Sequence, residues 1–246
     1  VITGIIVALP EEVSTLTAKK LAKGDVEFLD AQHVLIYSGT GSTNARAAAG
    51  KLMDLGATRL ISGGCAAGIN PALTPGDLML PLSLLNAAQE SLPVDLAWHS
   101  HAARHLEVGA RFQGCLLESE TIVSLSSEKL ALFQQTCAQA LDMESFAVAK
   151  TAAEHQLPFL VVRAIADPAQ FDLPAAVAYA LNEKGEVSLV KLLKFLIFHP
   201  DQIPGLIILG LNFHKAKHSL TKAAKNLAAI TAFDTASAEK SAAAAI

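Results

Sequence analysis

Two carboxylates stand in this chain where an acid is costly. Glu144 follows Leu141-Asp142-Met143 and opens a helical pattern, and Asp167 closes the apolar run that begins at Phe159. In a parallel α/β sheet, ligands collect outside the carboxyl ends of the strands, so both acids are expected at one edge. Acids delivered there suit a site that holds a polyhydroxyl group and protonates something. An ionised carboxylate accepts hydrogen bonds from hydroxyls, whereas a desolvated one keeps a proton to give away. Pro10-Glu11-Glu12 adds two acids after the first strand-like run. Acids also favour the first turn of a helix for electrostatic reasons alone, so that pair admits a purely structural reading.

Two small-residue segments follow other strand-like runs. Ser38-Gly39-Thr40-Gly41-Ser42-Thr43-Asn44 opens a helix, where glycine lets backbone N–H groups approach an anion or a hydroxyl oxygen. It lacks the third glycine and the spaced acid of a dinucleotide fingerprint, and a tight strand–helix turn explains it equally well. Ile61-Ser62-Gly63-Gly64-Cys65-Ala66-Ala67-Gly68-Ile69 is the second, which by itself signals close backbone approach. Taken with the strand-end acids, the two describe a lined cleft. His99, His101 and His105 have the type of metal ligands but no neighbouring cysteine or acid pair, so no metal is expected. Cys65 has no spaced partner histidine that would make it a nucleophile.

The elements that must position these residues alternate along the chain. Strand-like runs cover 4–9, 33–38, 59–63, 77–81, 114–117, 138–142 and 159–165, and helical patterns cover 11–20, 43–55, 127–136, 144–155 and 174–181. Continuous apolar strands separated by helices predict a three-layer α/β/α fold around a mixed, mostly parallel central sheet. Residues 84–111 show little periodicity and read as a long loop or lid. The expected organisation is a catalytic domain over 1–186, basic amphipathic helices packed on it over 187–230 with breaks at His199-Pro200 and Ile203-Pro204, and a frayed Ala-rich tail over 231–246.

Composition sets the outer bounds. The chain is 52% apolar with a mean hydropathy of +0.39, yet no uncharged apolar run reaches the roughly 20 residues of a membrane span. It opens directly on a strand-like run with no basic signal-peptide region. Three scattered cysteines fit reduced thiols in a cytoplasmic protein better than a disulfide framework. The net charge of −4 hides an asymmetry, with −8 over 1–186 and +5 over 187–230. On the second segment Leu209, Ala216, Leu220, Ala223 and Leu227 fall on one helical face, with His214, His218, Lys222 and Lys225 on another. That pattern fits either a packing helix with a solvated basic side or an interfacial helix drawn to anionic lipid.

Taken in order, the 4–13 opening, the Ser-Gly-Thr-Gly loop, Pro75-Gly76-Asp77, Asp142-Met143-Glu144 and Val162-Arg163-Ala164-Ile165-Ala166-Asp167 resemble the purine nucleoside phosphorylase and nucleosidase superfamily. The likeness is greatest to its methylthioadenosine/S-adenosylhomocysteine nucleosidase branch and spans roughly 3–181. The resemblance implies cleavage of a purine N-glycosidic bond through an oxocarbenium-like ribosyl transition state. It assigns Asp167 as the general acid to the purine, Glu144 as acceptor of the ribose hydroxyls with Met143 packed on the sugar, and Glu12 as the base that activates water. It further assigns Ile122 and Val123 to the purine edge, and Gly41, Gly64 and Cys65 to the loops around the nucleophile. Cys65 stands where the family usually has serine, Ala166 replaces a serine before the acid, and Ile122 replaces an aromatic residue.

The resemblance implies no cofactor, with phosphate as co-substrate only in the phosphorolytic branch, for which Arg46 and Arg163 are the available cations. It also implies a homodimer and no nucleic-acid partner. The 192–227 pattern is similar to the hopanoid-associated phosphorylase group, which implies adenosylhopane as substrate and peripheral contact with the inner membrane face. An ordinary soluble methylthioadenosine/S-adenosylhomocysteine nucleosidase, a phosphate-dependent phosphorylase and a nucleoside-binding module without turnover stay open as alternatives.

Overall fold

The computed structural model describes residues 1–106, 113–180 and 189–233. Strand β1 (Thr3–Val7) leads into the single-turn helix α1 (Pro10–Val13), then β2 (Val26–Phe28), β3 (His33–Tyr37), helix α2 (Ser42–Asp54) and the long strand β4 (Arg59–Gly68). Next come β5 (Leu78–Met79), β6 (Ser83–Leu85), β7 (Ser91–Pro93), helix α3 (Leu96–Leu106), β8 (Cys115–Glu118) and helix α4 (Ser126–Thr136). The chain continues through β9 (Ala140–Asp142), α5 (Ser145–Glu154), β10 (Phe159–Asp167), α6 (Ala175–Ala180), α7 (Leu189–Phe198), α8 (Ile203–Lys225) and α9 (Leu227–Thr231).

Among the described residues the strands form one sheet in the order β2-β3-β1-β4-β9-β8-β6-β7, with β10 paired to β4 and β5 paired to β10. β1 is parallel to β3 and β4, β10 is parallel to β4, and β8 is parallel to β6 and β9; β9 meets β4 antiparallel. The sheet is therefore mixed and mostly parallel, with helices on both faces. Successive side chains of a strand point to opposite faces. Ile6 of β1 accordingly joins Leu60, Val161 and the α2–α5 layer, while Ile5 and Val7 join Ile61, Val162, Trp98 and Ile230 in the layer of α3, α8 and α9. β10 is buried at every one of its nine positions, which is why its sequence is a near-continuous apolar run.

Four expectations need correction. The helix predicted over 11–20 ends at Val13, because Ser14 and Thr15 turn their hydroxyls onto the carbonyls of Glu11 and Glu12 (2.6 and 2.7 Å). Such local bonds offer the backbone an alternative to helix. Residues 84–106 are not a lid. They hold β7 and α3, capped where Asp95 Oδ1 accepts the Trp98 N–H (2.8 Å), and the fully buried Trp98 donates its indole N–H to the carbonyl of Ile230 (2.9 Å). His99 and His101 serve the same packing, with ring nitrogens 2.8 Å from the carbonyls of Leu80 and Ala229. Residues 107–111 of the expected lid lie outside the described residues. Third, the segment read as a loop at Gly63-Gly64-Cys65 is the middle of β4. Fourth, Ile203-Pro204 starts α8 and breaks nothing, since proline in the first turn lacks only an N–H that has no helical partner anyway.

The C-terminal segment divides by role. Ala216 and Leu220 of α8 pack on Ala164 and Ala166 of β10, and Arg59 donates to the carbonyls of Thr231, the last residue of α9, and of Phe233 just after it. The boundary expected at 186 and the tail from 234 fall outside the described residues.

Candidate active site

The length of β4 shapes the cleft. Its first half pairs with β1, and its end pairs at Ala67 and Gly68 with β9, which runs back antiparallel. The end of β9 and the start of α5 thereby deliver Asp142, Glu144 and Ser145 to the middle of β4, where the Ser145 hydroxyl lies 3.1 Å from that of Ser62. β10 follows β4 on the opposite edge, setting Arg163 level with Gly64 and Asp167 level with Ala67.

Arg163 is the hub. Its side chain is 1% exposed, and Nη2 lies 2.6 Å from Asp142 Oδ2 while donating to the hydroxyls of Ser62 (2.8 Å) and Ser145 (2.9 Å). Asp142 also accepts the Ser145 hydroxyl at 2.5 Å and the backbone N–H groups of Glu144 and Ser145 at 3.3 and 3.2 Å. The ion pair with Asp142, together with Glu144 and Glu12, holds the guanidinium firmly charged in spite of burial.

Glu12 closes on the same point from α1. Its Oε2 accepts the N–H groups of Ala8 (2.9 Å) and Leu9 (3.0 Å), and its Oε1 accepts that of Cys65 (2.7 Å). Burial, on a side bordered by Val7, Ile61, Val162 and Leu220, raises the carboxyl pKa; Arg163 and the N–H donors pull it back. Gly64 makes this approach feasible. Its φ is +148°, and a Cβ there would sit 2.5 Å from Glu12 Oε1 and against Arg163 Nη1. Any side chain would push the acid and the guanidinium apart.

Glu144 is the N-cap residue of α5, 7% exposed. Its Oε1 accepts the N–H of Gly41 (2.8 Å), whose φ of +94° turns that amide toward the cleft at the start of α2, and its Oε2 lies 3.3 Å from the Met143 amide nitrogen. Burial first, then the neighbouring Asp142, raises its pKa to about 7, against the opposing pull of Arg163. Asp167 ends β10, 8% exposed, with Oδ1 2.7 Å from the Lys129 ammonium. Burial lifts its pKa to about 6, and the lysine holds it from rising further. Three carboxyl groups that burial moves toward neutrality thus stand at three different strand ends, Glu12 and Glu144 beside Arg163 and Asp167 beside Lys129.

The structure brings Glu12, Gly64, Cys65 and Glu144 together around Arg163, sets Gly41 and Met143 against Glu144, and leaves Asp167 four residues further along the same strand, β10. Cys65 contributes its amide; burial and then Glu12 push its thiol well above the usual range, which removes it as a thiolate nucleophile. Val123 packs half-buried against Ile69, Leu117 and Leu141, whereas Ile122 is 42% exposed. Their segment is tied to the turn after Asp167 by the Leu173 N–H donating to Ser124 (2.8 Å). Arg46 is exposed and lines an outer cleft with Glu118 and Lys150 whose lining does not include Arg163. Sequence reasoning gave no role to Ser145 or Lys129, and quoted Asp142 and Ser62 only as members of their motifs. Lys129 carried the one available signal, a cation in the first turn of a helix, where the dipole disfavours it. Among the described residues no group of three His, Cys, Asp or Glu side chains forms a metal site.

Comparisons with known proteins agree with this architecture. No curated protein sequence matches the chain. Among solved structures it is similar to a 5′-methylthioadenosine/S-adenosylhomocysteine nucleosidase from Neisseria meningitidis in complex with methylthio-immucillin-A, at 19% identity and a TM-score of 0.66 over 93% of this chain and 97% of that one. It is also similar to the futalosine hydrolase of Helicobacter pylori, at 15% identity and a TM-score of 0.65 over 93% and 96% of the two chains. These likenesses establish the fold. Residues 3–194 match the family model of the phosphorylase superfamily, and the chain belongs to that enzyme family.

Proposed function

We propose that the protein cleaves the N-glycosidic bond of an adenine nucleoside with an apolar 5′ substituent, adenosylhopane being the candidate, with water as the nucleophile. The observation that carries this reading is the charge around Arg163, a buried cation faced by Asp142, Glu144 and Glu12. Such a site favours a ribosyl group that becomes cationic and repels phosphate. Arg163 Nη2 is already taken by Asp142, Ser62 and Ser145, and Arg46 stands in the outer cleft, which also argues against phosphorolysis. Nucleosidases acting on methylthioadenosine and S-adenosylhomocysteine, and a futalosine hydrolase, share the fold.

In this reading Glu144 accepts hydrogen bonds from the ribose 2′- and 3′-hydroxyls, and Met143 packs on the sugar. As the C1′–N9 bond breaks, its electron pair leaves with the purine and Asp167 gives its proton to N7. Glu12 takes a proton from the water that attacks C1′. Val123 and Ile122 border the purine, and the exposure of Ile122 fits an edge contact better than a stacked one.

The reading of the 5′ group as lipid is supported by the exposed apolar side chains at the end of α7 and along the first half of α8. Ile197 and Phe198 at the end of α7 are 73% and 80% exposed, and Ile203, Ile207, Ile208 and Leu211 of α8 are also exposed. Lys191 and Lys194 are exposed on α7 beside them. Apolar side chains flanked by lysines suit the headgroup boundary of an anionic bilayer. No helix among the described residues is long and apolar enough to cross a membrane. A homodimer is the competing occupant of this surface.

The test is release of free adenine from adenosylhopane and from methylthioadenosine, each with and without phosphate. The expected result is phosphate-independent adenine from adenosylhopane, lost in Asp167→Asn with nucleoside binding retained. Phosphate-dependent release would overturn water as nucleophile, and no adenine from either substrate would overturn the reading as a whole.

A further inference from the structure

Lys129 is the sole buried residue of α4, and its side chain is fully enclosed. A buried ammonium is strongly unfavourable unless it is paired and hydrogen-bonded. It also sits in the first turn of its helix, where the macrodipole disfavours a cation. Three acceptors offset both penalties. Its Nζ lies 2.7 Å from Asp167 Oδ1, 2.8 Å from the carbonyl of Phe171 and 3.3 Å from that of Pro168. Those three acceptors match the three protons of an ammonium group. α4 is locked to the same segment from both directions, as Asp172 Oδ1 accepts the Ser126 N–H (2.6 Å) and Ser124 accepts the Leu173 N–H (2.8 Å).

The consequence for Asp167 is geometric. Oδ1 is occupied by a donor, and no hydrogen bond from a described residue reaches Oδ2. We propose that Lys129 is the positioning residue of the acid: by holding Oδ1 it leaves the transferable proton on Oδ2, and its ammonium stabilises the carboxylate that remains once that proton has gone to the departing base. In that step the Oδ2–H bond breaks and an N–H bond forms on the base. The electron pair of the O–H bond stays on Asp167, beside a cation fixed in advance. Without the lysine, burial would oppose this charge, and the acid would hold its proton more tightly. The charged groups that face Asp167 are Lys129 from α4 and Asp172 from the following turn; burial raises the carboxyl pKa, the lysine lowers it and Asp172 raises it.

This inference rests on the reading of Asp167 as proton donor, and the test separates the two. The pH profile of kcat/KM for adenine release from methylthioadenosine reports groups of the free enzyme. Lys129→Gln keeps a donor for the carbonyls of Pro168 and Phe171 but removes the charge. Its alkaline limb should move up by about one pH unit or more, with kcat reduced and KM little changed. Lys129→Arg keeps the charge, so its limb should stay within about 0.3 unit of wild type. A glutamine variant with lower kcat at every pH but an unmoved limb would reduce Lys129 to a structural role and overturn the proposal. Should the glutamine variant not fold, an arginine variant whose limb moves by a full unit would overturn it equally. If the wild-type protein releases no adenine, the function reading fails first. Carbon-13 carboxyl titration of Asp167, assigned with Asp167→Asn, must then still shift upward in Lys129→Gln, and an unchanged titration would sink the inference.

Discussion

Replacing Arg163 with methionine is the sharpest probe of the hub, because the structure makes its cost asymmetric. The guanidinium and the Asp142 carboxylate are 1% and 2% exposed and 2.6 Å apart, so neither can turn to water for compensation. Removing one member of such a pair costs about 3–5 kcal/mol, mostly for the charge left behind. Arg163→Met leaves Asp142 unpaired and strips the counter-charge from Glu12 and Glu144 as well. It belongs at the upper end of that range. Asp142→Asn leaves Arg163 with Glu12 and Glu144 still beside it, and the amide oxygen can still accept from the Glu144 and Ser145 N–H groups. It belongs at or below the lower end. At roughly 2–4 °C per kcal/mol for a chain of this size, Arg163→Met should lower Tm by about 10–20 °C and Asp142→Asn by clearly less. The double variant should recover part of the loss, because the orphaned charge goes with it. Urea unfolding and calorimetry on the three variants measure this. A cost below about 1 kcal/mol for Arg163→Met, or equal costs for the two single variants, would show that the cluster is not held by its central charge.

Two further outcomes are expected. Burial lifts the Glu118 pKa to about 7 in the folded protein, so its contribution to stability is full near pH 4.5 and is lost as pH rises through 7. Glu118→Gln should therefore match wild type in thermal melts at pH 5 and exceed it at pH 8; a variant equal to wild type at both would discard the desolvated acid. Phe198→Glu with Ile207→Glu removes two exposed apolar side chains from the surface proposed to meet lipid. Co-sedimentation with phosphatidylglycerol-containing vesicles should weaken more than about tenfold, since each such side chain is worth roughly 1.5–3 kcal/mol when buried. Undiminished vesicle binding, or a loss of dimer mass in sedimentation instead, would reassign the surface.

Much of the sheet was legible because its central strands are buried on both faces and must be apolar throughout, as at Phe159–Asp167. Glu144 and Asp167 were legible for the converse reason, since a carboxylate at the border of such a run has few structural explanations. The glycine segment at 63–65 misled because glycine marks close approach without saying whether the backbone is loop or strand, and here a strand bends around an acid and a guanidinium. α3 was hidden by its own buried face, where His99 sits beside Trp98 and Ala102 and breaks the apolar period.

The sequence by itself determined the layered fold, the strand-end acids and the glycines that let backbone amides reach them, because local pattern and burial act on contiguous residues. Tertiary structure alone decided what those acids answer to. Asp142 meets Arg163 from a strand on the far side of β4, and Lys129 meets Asp167 across 38 residues of chain. Charge compensation in a buried site depends on distance in space and on excluded water, and neither is written in the order of the residues.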